Sequence, residues 1–231
     1  PPDKNGKVRV TRDVAQESVQ KKMLLYDRDE DGHYDTISVF IKSVRGSDPH
    51  AAVYWLAKML AAGEDPRFIA RRLVILASED IGNADPRGLT LAVAAMQAAE
   101  FVGMPEARIV LAQATTYLAT APKSNASYLA VERAAADIER GRVLQVPERF
   151  KQIRVQRAHD RFQEDDAYRY PHDFDGHFVE QEYVPAANVY YEPAGQGYED
   201  VIARRMARWR ANRETSAGGG MPDGDGNENA G

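Results

Sequence analysis

The sequence has no cysteine. Disulfides, thiolate zinc sites and cysteine nucleophiles are therefore excluded, and the composition fits a reducing cytoplasm. Long apolar runs are missing too. The longest, around Leu91–Ala99, falls short of the ~18 residues a membrane helix needs, so no membrane partner is expected. No signal peptide opens the chain, which begins Pro1-Pro2-Asp3 without a methionine and reads as a piece of something longer. Nor is there an excess of positive charge. Lys and Arg number 30 against 35 Asp and Glu, a formal net charge of −5, which makes no general case for nucleic acid.

The motifs of common catalytic chemistries are also missing. No G-x-x-x-x-G-K-[ST] phosphate loop occurs, and "SAGGGMPDGDG" has neither the lysine nor a following helix. There is no G-x-S-x-G elbow and no HExxH pair. No catalytic, cofactor-binding or metal-binding residue is assigned to this stretch.

What is present is a helical pattern. Asp48-Pro49, Asp65-Pro66 and Asp85-Pro86 each read as a capping aspartate followed by proline in the first helical turn, where its missing N–H costs nothing. Gly46, Gly63 and Gly82 precede them as stops. Helices are expected at about 33–45, 49–62, 66–81, 86–102, 105–120 and 125–140. Ile37, Phe40, Ile41 and Val44 form an amphipathic stripe, as do Val53, Leu56, Met59 and Leu60, and again Phe68, Ile69, Leu73, Leu76 and Ala77. The helices at 86–102 and 105–120 are alanine-rich and apolar on more than one face, which suits the centre of a domain or a subunit interface. Short connections point to antiparallel neighbours. The fold class expected is all-α, a compact helical bundle.

Around this bundle, Thr11 is positioned to cap a helix running to about Lys21. Residues 167–195, rich in Tyr, Phe and Pro, read as an extended strap on a helical body. A last helix is expected from about Gly197 to Arg213, and the acidic low-complexity end from 214 to 231 is expected to be disordered.

Three clusters invite a chemical reading. In "DRDEDGHYDTIS", Asp27, Asp29, Asp31 and Gly32 match the start of a calcium loop, with Asp35 at position 9. Position 12 is Ser38, however, where the ion needs a bidentate carboxylate, so an acidic turn between helices is preferred. In "PHDFDGHF", His172, Asp173, Asp175 and His177 have the chemistry of a transition-metal site. Histidines five apart among turn residues arise readily without a metal, and the structural reading is preferred there as well. The third cluster is basic. Arg149, Lys151, Arg154, Arg157 and Arg161 crowd "RFKQIRVQRAHDR", and "RRMARWRANR" carries five arginines, among them Arg204, Arg205 and Arg208, without an acid. Such clusters neutralise phosphates, with Trp209 or Phe150 available to stack on an unpaired base. Arg149, Lys151, Arg154, Arg157, Lys123, Arg204, Arg205 and Arg208 are the candidate DNA contacts. The alternative is a solvated helix face, or pairing with Glu164, Asp165 and Asp166.

Several strings together resemble a known family. "HYDTISVFIKSVRGSDPHAAVYWLAKMLAAGEDPRFIARRLVILASEDIGNADP", "APKSNASY", "YRYPHDFDGHFVEQEYVP" and "YYEP…GYE" are similar to the C-terminal region of the RarA/MgsA family. These are replication-associated recombination proteins related to the Werner helicase-interacting ATPase and to clamp loaders. The resemblance covers about residues 8–213, while the stretch 147–165 departs from the family pattern. It implies that residues 1–26 end a AAA+ lid, that 27–145 form a helical oligomerisation domain, and that 146–213 form a strap and terminal helix packed on it. It further implies a homotetramer, with ATP and Mg bound by a parent ATPase whose Walker motifs lie upstream. DNA at stalled or gapped forks and single-stranded-DNA-binding protein are the implied partners, in the cytoplasm at the nucleoid.

Overall fold

The structure, a computed structural model, describes residues 12–13, 30–151, 168–184 and 188–218. Six helices follow one another, α2 to α4 at the aspartate–proline steps: α1 (Glu30–Arg45), α2 (Pro49–Ala61), α3 (Pro66–Leu76), α4 (Arg87–Val102), α5 (Ala107–Thr120) and α6 (Ala126–Glu139). A seventh, α7, spans Glu199–Gly218. No strand occurs among the described residues, and none of their helices is long and apolar enough to cross a membrane.

The capping logic holds for α2 and α3, while α4 starts one residue later than expected, with Pro86 at its cap position. The Asp48 carboxylate accepts the Ala51 N–H, that of Asp65 accepts the Arg67 N–H, and that of Asp85 accepts the Arg87 N–H. Each satisfies one of the orphan donors of a helix start. The stops differ in one place. Gly63 and Gly82 take positive φ, but at the first stop the left-handed residue is Ser47, with φ 61°, rather than Gly46. Gly46 is still required to be small, because a Cβ there would lie 2.9 Å from the Lys42 carbonyl oxygen. The helix expected over 66–81 is not continuous either. It is α-helical to Leu76, then widens to a π-helical turn over Ala77–Ile81 and tightens to a 3-10 turn over Gly82–Ala84.

The chain divides into two compact units. The first is built from the segment ending at Tyr128 together with Pro193–Glu199. Its centre is α5, which packs against α1, α2, α3 and α4. Leu111, Ala114, Thr115, Leu118 and Ala119 of α5 are fully buried there. The stripes of α1 to α3 supply Phe40, Val44, Leu56, Met59, Ile69, Leu73 and Leu76. Full burial of each large side chain contributes about 1.5–3 kcal/mol. On α4 the inward positions are small: Gly88, Ala92, Ala95 and Ala99. A Cβ on Gly88 would come within 3.1 Å of an Ile81 methyl, so a larger residue there would have to push that side chain aside.

The second unit comprises Leu129–Glu192 and the chain from Asp200. There the end of the strap is tied to α6. Arg133 donates to the Tyr190 carbonyl and pairs with Glu192 at 2.9 Å, while the Tyr190 hydroxyl and the Asn188 amide both donate to Asp137. Upstream, Gln181 is buried and exchanges hydrogen bonds with the backbone of Arg169, and its amide also donates to the Tyr183 hydroxyl.

Candidate functional site

Three segments far apart in sequence meet in the first unit, and each carries one of the strings that make the chain recognisable. They are the π and 3-10 turns over Ala77–Ala84, the loop from Pro122 to Asn125, and the residues from Ala194 to Glu199. Backbone bonds connect them: Ser124 N–H donates to the Asp80 carbonyl at 2.8 Å, and Tyr198 N–H to the Ala84 carbonyl at 2.8 Å. Glu199 is fully buried, and its Oε2 accepts from the Ser124 hydroxyl at 2.7 Å and the Ala194 N–H at 2.6 Å. Ser124 in turn accepts the Ala126 N–H, so the carboxylate is linked through a hydroxyl to the start of α6. The approach at this point is close enough to dictate glycine. A Cβ on Gly197 would lie 2.2 Å from the Ala84 oxygen, and one on Gly82 would lie 2.7 Å from the Ser124 oxygen.

Charge is concentrated beside this junction. Arg45 of α1 donates to Asp80 at 2.5 Å and to Glu79 at 2.9 Å. The hydrogen bond to Asp80 holds the guanidinium above its ordinary pKa. Asp80 is buried, and its second oxygen, Oδ2, has no hydrogen-bond partner among the described residues. Asp85 is buried where α4 begins and accepts from Arg87 at 3.0 Å and from the Tyr117 hydroxyl at 2.5 Å. Burial pushes its carboxyl up, but the bonds from Arg87 and Tyr117 outweigh this and leave it below the usual range. Arg45 thus pairs with both acids of the π turn, while Asp85 ties the start of α4 to Tyr117 of α5. Among the described residues, no three or more His, Cys, Asp or Glu side chains gather as a metal site.

The sequence-derived DNA candidates that are described fall in both units. Lys123 lies in the first unit with its ammonium on the carbonyls of Ala119 and Ala121, at 3.0 and 2.7 Å, closing the end of α5. Burial lowers its pKa against the upward pull of Asp80. Arg149 and Lys151 belong to the second unit, where Lys151 pairs with Glu148 at 2.5 Å. Arg154 and Arg157 lie outside the described residues, as does Arg161. Arg204, Arg205 and Arg208 are exposed on α7, with Arg204 3.3 Å from Asp200. Beside them Trp209 stacks on Phe178, the rings 5.8 Å apart and 7° from parallel. The other aromatic candidate, Phe150, stacks on Tyr183 at 5.1 Å. The rings of His172 and His177 are 4.8 Å apart. Of the acidic turn, Asp27 and Asp29 lie outside the described residues, whereas residues 31 to 38 are helical within α1, which leaves no loop for an ion over that half.

Two features were not singled out from the sequence. One is the junction itself, whose only signal was that its three strings belong to the recognisable part of the chain. The other is the particular stripe left open on α4, a helix the sequence marked only as apolar on more than one face. Thr90, Ala94, Gln97 and Phe101 recur there at i, i+4, i+7 and i+11, all exposed and none charged. Phe101 is 91% exposed. Ile109, near the start of α5, is 64% exposed.

Comparison with known proteins gives this geometry a context. Residues 46–210 match the family described as MgsA AAA+ ATPase C terminal, and residues 1–45 match one described as AAA C-terminal domain. The chain is 43% identical over 196 residues to the replication-associated recombination protein A of Bacillus subtilis, covering 84% of this chain and 46% of that protein. To the protein of the same name from Escherichia coli it is 37% identical over 223 residues, 93% of this chain and 48% of that one. It is 51% identical over 107 residues to the ATPase WRNIP1 of Dictyostelium discoideum, 46% of this chain and 12% of that protein. The chain thus spans about half the length of the bacterial relatives.

Proposed function

The chain belongs to the MgsA AAA+ ATPase C-terminal family, and on that premise we propose that it is the assembly module of a replication-associated recombination ATPase, holding four copies together. The observation that carries this reading is the uncharged outer stripe of α4 ending in Phe101. In a chain with 28% charged residues, a stripe that climbs the helix from Thr90 to Phe101 without a charge is a surface made for another helix. A phenylalanine left almost wholly in water loses the ~2 kcal/mol or more that its burial would contribute.

ATP and Mg belong, in this reading, to the ATPase portion of the longer protein, and this chain does no chemistry. The assembled protein would work on DNA in the cytoplasm, at the nucleoid, with single-stranded-DNA-binding protein as a partner. Mass by light scattering during size exclusion tests the assembly: about four chains are expected, and Phe101→Glu should shift the mass towards one. A single-chain mass for the unsubstituted protein would reject it.

A second reading is favoured by α7. Its exposed arginines flank the parallel Phe178–Trp209 stack, an arrangement suited to the backbone and a base of single-stranded DNA. Titration of a labelled oligonucleotide at low and moderate salt tests it. Absence of binding at low salt would leave these arginines a structural role, as in the Arg204–Asp200 pair.

A further inference from the structure

An open cavity of about 160 Å³ lies in the first unit where the start of α3 faces the end of α4 and the start of α5. Its apolar lining includes Ala70, Met96, Ala99, Met104 and Ala107. Apolar cavities of about 150 Å³ take up a benzene molecule, so this volume suits one phenyl ring. Its chemistry agrees. Alanines leave the hole wide, and methionine thioethers adapt to an aromatic ring and pack on it favourably. Three charged residues, Asp65, Arg67 and Glu100, complete the lining, and Arg67 pairs with Glu100 at 3.3 Å.

We propose that this cavity receives the Phe101 ring of a second copy of the chain. The inference rests on the assembly reading above and identifies the knob and the hole that would form one of its interfaces. On α4 the cavity wall falls at Met96, Ala99 and Glu100, spaced i, i+3 and i+4, and continues at Gly103 just past the helix. Phe101 stands about 200° around the helix from Ala99, at ~100° per residue, and so cannot fill its own chain's cavity. Its 91% exposure fits a ring waiting for a hole elsewhere. Each chain carries both the knob and the hole, so every copy can repeat the docking. The partner is a copy because the chain itself carries, almost wholly exposed, a ring of the size the hole takes. A different protein would have to bring its own aromatic knob and would leave Phe101 uncovered.

The absence of cysteine makes the test clean, because introduced thiols are the only ones present. Gln97 is exposed one turn before Phe101, and Arg67 is exposed at the cavity rim. Separately made Gln97→Cys and Arg67→Cys chains are mixed and treated with a short bis-maleimide, and masses are measured on the same variants. A mixed cross-link several-fold above that of either variant alone is expected. Adding Phe101→Ala to the Gln97→Cys chain should abolish it, while Phe101→Met should keep most of it. A four-chain mass without the mixed cross-link would overturn the docking and leave assembly to another face. A single-chain mass for the unsubstituted protein would overturn the assembly reading and this docking together.

Discussion

Glu199 and Ser124, 75 residues apart in sequence, share a hydrogen bond of 2.7 Å inside the first unit, with the carboxylate fully buried. The bond joins the start of the last helix to the loop before α6, and Ala194 N–H shares the same oxygen. Removing the carboxylate would leave a buried hydroxyl and a backbone N–H without this acceptor.

Glu199→Ala is therefore expected to destabilise the chain by about 3 kcal/mol, in the range for removing a charged acceptor with two donors. Ser124→Ala should cost less, about 1–2 kcal/mol, since Ala194 still holds the carboxylate. Glu199→Gln keeps an acceptor oxygen and should lie between the parent and the alanine variant. Urea unfolding of the three variants checks the order.

Gly197→Ala should be among the most damaging glycine substitutions. Its Cβ would overlap a backbone oxygen at 2.2 Å and its φ of +55° disfavours any side chain. A loss of ~2 kcal/mol or more is expected, the scale of a backbone clash. Gly103→Ala is the control. Its φ of +70° and ψ of −178° also favour glycine, at about 1–3 kcal/mol, but no atom lies within 4 Å, so the cost of a clash is absent. Equal melting temperatures for the two would contradict the packing of Gly197.

Asp85 gives the chain a pH signature. Its folded pKa is depressed, so its contribution is present above the unfolded value of about 3.9 and is lost as pH falls through the folded value. Tyr117 is raised by its hydrogen bond to Asp85, so its contribution is present below about 10 and is lost as pH rises beyond that. Asp85→Asn should flatten the acid side of the stability profile, and Tyr117→Phe the alkaline side. Unfolding followed from about pH 2 to about pH 11, a range that brackets both ordinary values, separates the two.

If α7 touches single-stranded DNA, Arg204→Glu with Arg208→Glu should weaken binding about tenfold or more at low salt. The salt slope should also fall by about 0.7 for each phosphate that is no longer neutralised. Trp209→Ala should weaken binding by the ~1–3 kcal/mol of a stacked base, with little change in slope. Unchanged affinity in both would remove α7 from the DNA reading.

The helices were legible because their signals are local. Asp48, Asp65 and Asp85 announce their helices through side chains that bond within three residues, and the stripes of α1 to α3 follow a fixed period. The π turn was not legible, since Leu76 and Ala77 continue the helical spacing of Phe68, Ile69 and Leu73 while Arg45, Ser124 and Glu199 act on that region from far along the chain. Lys123 read as a surface cation because its sequence neighbours do not reveal that it closes α5. Phe101 read as one more apolar residue of an alanine-rich helix, because tertiary packing alone decides which side of α4 is covered and which is left open.

The most direct test of the account is the mass of this chain in solution, by light scattering during size exclusion at several salt concentrations. Four times 25.7 kDa is expected at micromolar concentration, holding as salt rises because the α4 face is uncharged. A mass of one chain at every salt concentration would contradict the assembly reading.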